Sequence, residues 1–173
     1  MSNKAVFCIA NSEAQALRIV EDARTAGFSG NDISVLFPDK QGTHDFAHEQ
    51  HTKAPEGAAA GATTGGVLGG VAGWLVGIGA LAIPGLGPFV AAGPIMAALG
   101  GAAAGAAAGG LTGALVGLGM PEYEAKRYEG KIKSGGILIS IHTESGDEVT
   151  RAKELFKRAG AEDISYTGEA KAA

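Results

Sequence analysis

Apolar and polar positions follow two rhythms along this chain, and the rhythms recur in the same order twice. AVFCIANSEAQALRIVEDARTAGFSGNDISVLF, from Ala5 to Phe37, gives a continuous apolar run, a polar turn, an amphipathic stretch, Ala-Gly, Asp-Ile-Ser and a second apolar run. GILISIHTESGDEVTRAKELFKRAGAEDISYTG, from Gly136 to Gly168, repeats that order. Each copy predicts a βαβ unit, and the pair is an internal repeat. Strands are expected at residues 5–10, 33–37, 136–142 and 164–167. The first helix should open at Asn11 or Ser12, whose side chains can accept from a free N–H of the first turn, and close at Gly27. Ala16, Leu17, Ile19, Val20 and Ala23 form its apolar stripe. The second helix should run from Ser145 to Gly160, with Val149, Ala152, Leu155 and Phe156 on its stripe.

Two βαβ units in tandem fold most simply as a ferredoxin-like α+β sandwich: one antiparallel four-stranded sheet with two helices on one face. VFCIA and ILISI, the most continuously apolar strands, are expected in the middle. Roughly 95 residues separate the halves, where connections of about 2–6 residues are usual. The predicted organisation is a first half at residues 1–38, a polar connector at 39–56, a hydrophobic insertion at 57–120, a second half at 121–168 and a tail at 169–173.

The insertion has its own pattern. From Gly57 to Pro121 no Asp, Glu, Lys, Arg or His occurs over 65 residues, whereas a membrane-spanning helix needs about 20. Gly57, Gly61, Gly65, Gly69, Gly73 and Gly77 fall at every fourth position, and Gly93, Ala97, Gly101, Gly105, Gly109, Gly113 and Gly117 repeat the step. A glycine costs a helix in water about 1 kcal/mol relative to alanine. In lipid that ladder instead permits close backbone approach, as in GxxxG contacts. The reading is a glycine-zipper hairpin of two hydrophobic helices, one from about Pro55 to Ile83 and one from about Ile95 to Leu118, interrupted by PGLGPFVAAGP. Lys53 before it and Lys126 and Arg127 after it, with no charge at the tip, place both termini and the folded domain on the cytoplasmic side of an inner membrane. The tip either crosses or stays embedded as a wedge. A zipper buried inside a soluble oligomer and a flexible linker are the competing readings.

Composition narrows the function classes. A net charge of −4 and a pI near 5.5 give no reason to expect nucleic acid as a partner. The expected partners are the lipid bilayer and further copies of the chain. The N-terminus lacks the pattern of a secretory signal, and the lone Cys8 reads as an inert buried thiol in a strand.

FAHEQHTKAPEGAAAGA, the glycine block and then GMPEYEAKRYEGKIKSGGILISIH resemble the bacterial general stress protein family with a heat-induced, YflT-like domain. The resemblance implies a bacterial stress-linked protein of ferredoxin-like fold and no established reaction, ligand or catalytic residue.

Candidate sites are few. His44, His48 and His51 share one face if their segment is helical, a spacing that can hold zinc or nickel or respond to pH, against the plainer reading of a solvated face. PEYEAKRYEGKIKSG predicts a helix opening at Pro121, whose Tyr123, Lys126, Arg127, Tyr128 and Lys131 either meet lipid headgroups or pack on the sheet domain. His142 reads as exposed at the end of a central strand. No triad, nucleophile elbow, phosphate loop or dinucleotide fingerprint is present, so no enzyme and no cofactor are expected. The leading expectation is a non-enzymatic, membrane-anchored, self-associating scaffold or sensor; a small pore and a ligand-binding module with a small molecule on the sheet face are the alternatives.

Overall fold

The computed structural model describes residues 4–38, 79–83, 87–92, 95, 103–117 and 119–168. In chain order they form β1 (Lys4–Ala10), α1 (Glu13–Thr25), β2 (Ile33–Pro38), β3 (Gly79–Ile83), β4 (Gly87–Ala92), α2 (Ala103–Gly117), α3 (Glu122–Lys133), β5 (Ile137–Thr143), α4 (Gly146–Arg158) and β6 (Glu162–Gly168). The protein is of the α+β class, with one sheet in the order β3-β4-β2-β5-β1-β6 and antiparallel pairing throughout.

The repeated units form as their patterns require. Ser12 accepts from the Gln15 N–H at the start of α1, and Ser145 with Glu148 makes a reciprocal capping box at the start of α4. Gly27 and Gly160 follow the two helices with φ of 92° and 69°, the left-handed conformation that ends a helix cheaply only at glycine. The helices then fasten each other. Gln15 Nε2 donates to the carbonyls of Ala159 and Gly160 at 3.0 and 2.8 Å, and Arg151 donates to the Ala26 carbonyl at 3.3 Å. Carbonyls left free at the end of one helix are thus satisfied by the other.

Alternation along the strands sorts the core into two layers. Val6, Cys8, Val35, Phe37, Ile139 and Ile141 face α1 and α4, where Ile19, Val20, Leu155 and Phe156 meet them. Phe7, Ile9, Leu36 and Leu138 point to the opposite face, which a two-layer sandwich would leave open. It is not open. Leu111, Ala114 and Leu115 of α2, Met120, and Ala125, Tyr128 and Ile132 of α3 bury against it. The molecule therefore has helices on both faces of its sheet.

This arrangement overturns the membrane hairpin and with it the inner-membrane location. Among the described residues no helix is long and apolar enough to cross a membrane. Residues 79–83, expected to end the first hydrophobic helix, are β3, and residues 87–92, expected in the interruption, are β4. Their hairpin extends the sheet beyond β2, with Val35 opposite Ala92 and Phe37 opposite Val90. Pro84, Pro88 and Pro94 forbid a continuous helix there, while the β2 edge offers unpaired backbone groups to any apolar run that can extend. Of the second hydrophobic helix, expected from about Ile95 to Leu118, residues Ala103–Gly117 form α2, and Gly110, at φ 58° and ψ −145°, divides it. Ile95, Leu111, Ala114, Leu115 and Met120 of the insertion thus cover a sheet face. Most of the predicted first arm, residues 57–78, lies outside the described residues.

Candidate functional site

The densest polar constellation among the described residues joins α3 to β6. Opposite β1, the register of β6 slips between Phe7 and Ile9: Phe7 pairs with Ser165, Ile9 with Glu162, and two residues of β6 face the single Cys8. Asp163 occupies this bulge at φ 50°, the one non-glycine residue of positive φ among those described. Aspartate tolerates that region better than most residues do. The twist turns its side chain inward, to 7 % exposure.

Three residues of α3 converge on it. Arg127 pairs with the Asp163 carboxylate, and Lys131 Nζ lies 3.6 Å from Oδ2 while bonding Glu162 at 2.8 Å. Between them Tyr128 enters the core and is only 2 % exposed. Its hydroxyl donates to the Asp163 carbonyl and sits 3.0 Å from Ser165 Oγ. Burial pushes the Tyr128 phenol up to about 12, against the opposing effect of the Ser165 contact. Asn11 completes the cluster by donating to Glu162 at 2.8 Å. Two cations meet two carboxylates, so the constellation is close to neutral, and its geometry is that of a clasp holding α3 on the sheet.

A second polar contact fixes α2. After Gly110 the helical ladder restarts, leaving N–H groups without intrahelical partners. Glu129 of α3 supplies an acceptor, taking hydrogen bonds from the Thr112 N–H at 3.2 Å and from its hydroxyl. Burial raises the Glu129 pKa, but hydrogen bonds from Lys133 and Thr112 outweigh it and hold the carboxyl below its usual range. The shallow groove here is lined by Thr112, Glu122, Lys126, Glu129, Gly130 and Lys133. Its charges are paired internally, Lys126 with Glu122 and Lys133 with Glu129, both at 2.7 Å.

The residues singled out in the sequence are distributed as follows. Tyr123 is 71 % exposed, whereas Tyr128 packs in the core and Arg127 and Lys131 pair with carboxylates of β6. His44, His48 and His51 lie outside the described residues, and among the described ones no group of His, Cys, Asp and Glu is placed to hold a metal ion. Gly57, Gly61, Gly65, Gly69, Gly73, Gly77, Gly93 and Gly101 also lie outside. Gly105, Gly109, Gly113 and Gly117 fall in α2, and a Cβ built at Gly117 would meet nothing within 4 Å. Cys8 is fully buried in β1 and burial pushes its thiol well up, as an inert thiol requires. His142 is half-buried on β5 and donates its backbone N–H to the Asp32 carbonyl at 2.7 Å.

Asp163, Ser165 and Ser34 were not anticipated as functional. The only signal was the Asp-Ile-Ser triplet common to both repeats. Ser34 Oγ accepts from the Ile95 N–H at 3.1 Å, as Ser165 receives Tyr128, so each copy of the triplet anchors the layer on the second sheet face. No family model matches the chain, and neither a curated protein nor a solved structure matches it.

Proposed function

We propose that this chain is a non-enzymatic scaffold or sensor module of the bacterial general stress type, built on a ferredoxin-like core and acting by self-association. The order β2-β5-β1-β6, with α1 and α4 on one face, supports that core, and the segment between β2 and α3 is then an insertion that pairs with its edge and covers its free face. The stress assignment rests on the resemblance carried by PEYEAKRYEGKIKSGGILISIH.

One observation carries the functional reading: the chain fills both faces of its own sheet. The face on which a ligand-binding module would hold a small molecule is occupied by Phe7, Ile9, Leu36 and Leu138 packed under α2 and α3. Recognition then falls to the outer surface and the strand edges, which suits contacts between macromolecules better than turnover of a small substrate. The pore alternative depended on a membrane-crossing hairpin and falls with it.

Light scattering of the full-length protein across a range of concentrations tests the reading. A mass that rises above that of one chain as concentration increases is expected. A single-chain mass throughout would remove self-association as the mode of action.

A further inference from the structure

Helix α3 buries Ala125, Tyr128 and Ile132 beneath it and turns a different set of residues outward. On that outer side Tyr123 is 71 % exposed, and the exposed Gly130, seven residues on, falls within about 20° of the same line on a helix of 3.6 residues per turn. Glycine is the poorest helix former after proline, yet α3 carries it in its interior. Nothing within the chain requires it there. Gly130 is not among the glycines of positive φ, and a Cβ built on it would meet no atom within 4 Å. Its effect is a gap in the outer row of side chains, with a protruding ring two turns away. Beside that line runs a row of charge. Glu122, Lys126, Glu129 and Lys133 alternate in sign along the shallow groove, with side-chain exposures of 67, 67, 22 and 52 %. Read in reverse, four alternating charges meet their opposites.

We infer that the outer face of α3 is the self-association surface, and that its occupant is α3 of a second copy, laid antiparallel across a two-fold axis. This rests on the self-association reading above and says which surface carries it. In that arrangement Glu122 faces Lys133 of the second copy and Lys126 faces its Glu129, each pair occurring twice, while Tyr123 of each copy seats over Gly130 of the other. A parallel pairing would set ring against ring and gap against gap. Ion pairs this exposed add little affinity; they set orientation and choice of partner. On the other flank of α3, Arg127 and Lys131 are already paired with carboxylates of β6, which leaves the alternating row to make that choice. The two-fold arrangement closes at two copies. Twelve residues of helix, about 18 Å long, make a small contact, so the dimer is reversible and concentration-dependent.

Light scattering of the full-length protein and its variants, from about 1 μM to about 100 μM, reads the interface. Gly130→Gln fills the gap with a good helix former, so it should raise the Tm of the single chain while weakening the dimer at least about tenfold. Those two effects have opposite signs, which separates a lost interface from a damaged fold. Glu122→Lys and Lys133→Glu should each weaken the dimer about tenfold, because each brings two like-charged pairs together. Mixed in equal amounts, the two variants should recover a dimer of one chain of each, since every pair across the axis is again opposite in sign. Combined in one chain they should associate like the parent, although both pairs within α3 are then like-charged. Glu21→Lys, the same change of charge on α1, should leave association unchanged. Association that Gly130→Gln leaves intact, single variants that do not recover on mixing, or an equal loss in Glu21→Lys would overturn the α3 assignment and leave self-association standing. A single-chain mass for the parent under all conditions would defeat both.

Discussion

Asp32-Ile33-Ser34 and Asp163-Ile164-Ser165 hold the same place in the two repeats, just after a helix and entering a strand, yet they take different conformations. In the first, the strand is regular: Ile33 is fully buried, the Asp32 carbonyl accepts from His142, and the pairing of β2 with β5 runs without a slip. In the second, the strand bulges, Asp163 adopts a positive φ, and Ile164 is only half-buried. The difference lies in the neighbours. Strand β2 lies inside the sheet, pairing with β5 from Ile33 and with β4 from Val35, one residue beyond the triplet, whereas β6 pairs with β1 alone among the described strands, so a bulge there disturbs one ladder. Only the serine keeps its task. Both serines point to the second face and anchor the layer that covers it, Ser34 through Ile95 and Ser165 through Tyr128.

The comparison can be broken most severely at Tyr128, through which the second triplet acts. Tyr128→Ala should cost about 3–5 kcal/mol by emptying a filled site beneath α3, read as a fall in the urea midpoint. A loss below about 1 kcal/mol would mean that the clasp does not depend on the ring.

Alkaline pH tests the same residue without a cavity. With Tyr128 pushed up to about 12 in the fold, the unfolded chain gives up this proton first. The contribution is therefore complete below about pH 10 and lost as pH rises through 12, amounting to about 3 kcal/mol. Tyr128→Phe should remove this part of the alkaline loss, and an unchanged pH profile would assign it to other groups.

Replacing the serines compares the triplets directly. Ser34→Ala strands the buried Ile95 N–H without a partner and should cost about 1–3 kcal/mol. Ser165→Ala should cost less, about 0.5–1 kcal/mol, because Tyr128 retains the Asp163 carbonyl. Equal costs would mean that the two anchors are equivalent after all.

The aspartates should show the sharpest contrast, with Asp32 giving the smallest effect. Asp163→Ala forces a β-carbon with no compensating polarity into the left-handed region and should be about 1–2 kcal/mol worse than Asp163→Gly. Asp32→Ala should stay within about 0.5 kcal/mol. Thermal unfolding of the three variants side by side reads this difference, and an Asp163→Ala no worse than Asp163→Gly would show that the bulge carries no conformational demand.

Much of the repeat was legible without coordinates, because its determinants are local. Ser12 and Ser145 cap, Gly27 and Gly160 terminate, and the stripes of Ile19, Val20, Leu155 and Phe156 find the sheet, each consequence following from residues within a few positions. The two triplets were visible as a repeat, but not what they bind, since Ile95 and Tyr128 are distant in sequence. The insertion was misread for a definite reason. GALAI and GPFVAA are short apolar runs, and periodicity alone does not separate a strand from a helix segment at that length. What settled them was an edge, β2, able to accept a further hairpin, and a sheet face whose Phe7, Ile9, Leu36 and Leu138 required cover. The sequence by itself determined which residues are apolar, where helices begin and end, and that two βαβ units must meet. Only the tertiary structure decided that Ile95, Leu111, Ala114 and Leu115 of the uncharged segment would cover the protein's own sheet, because the hydrophobic effect rewards removal of apolar surface from water without specifying the partner.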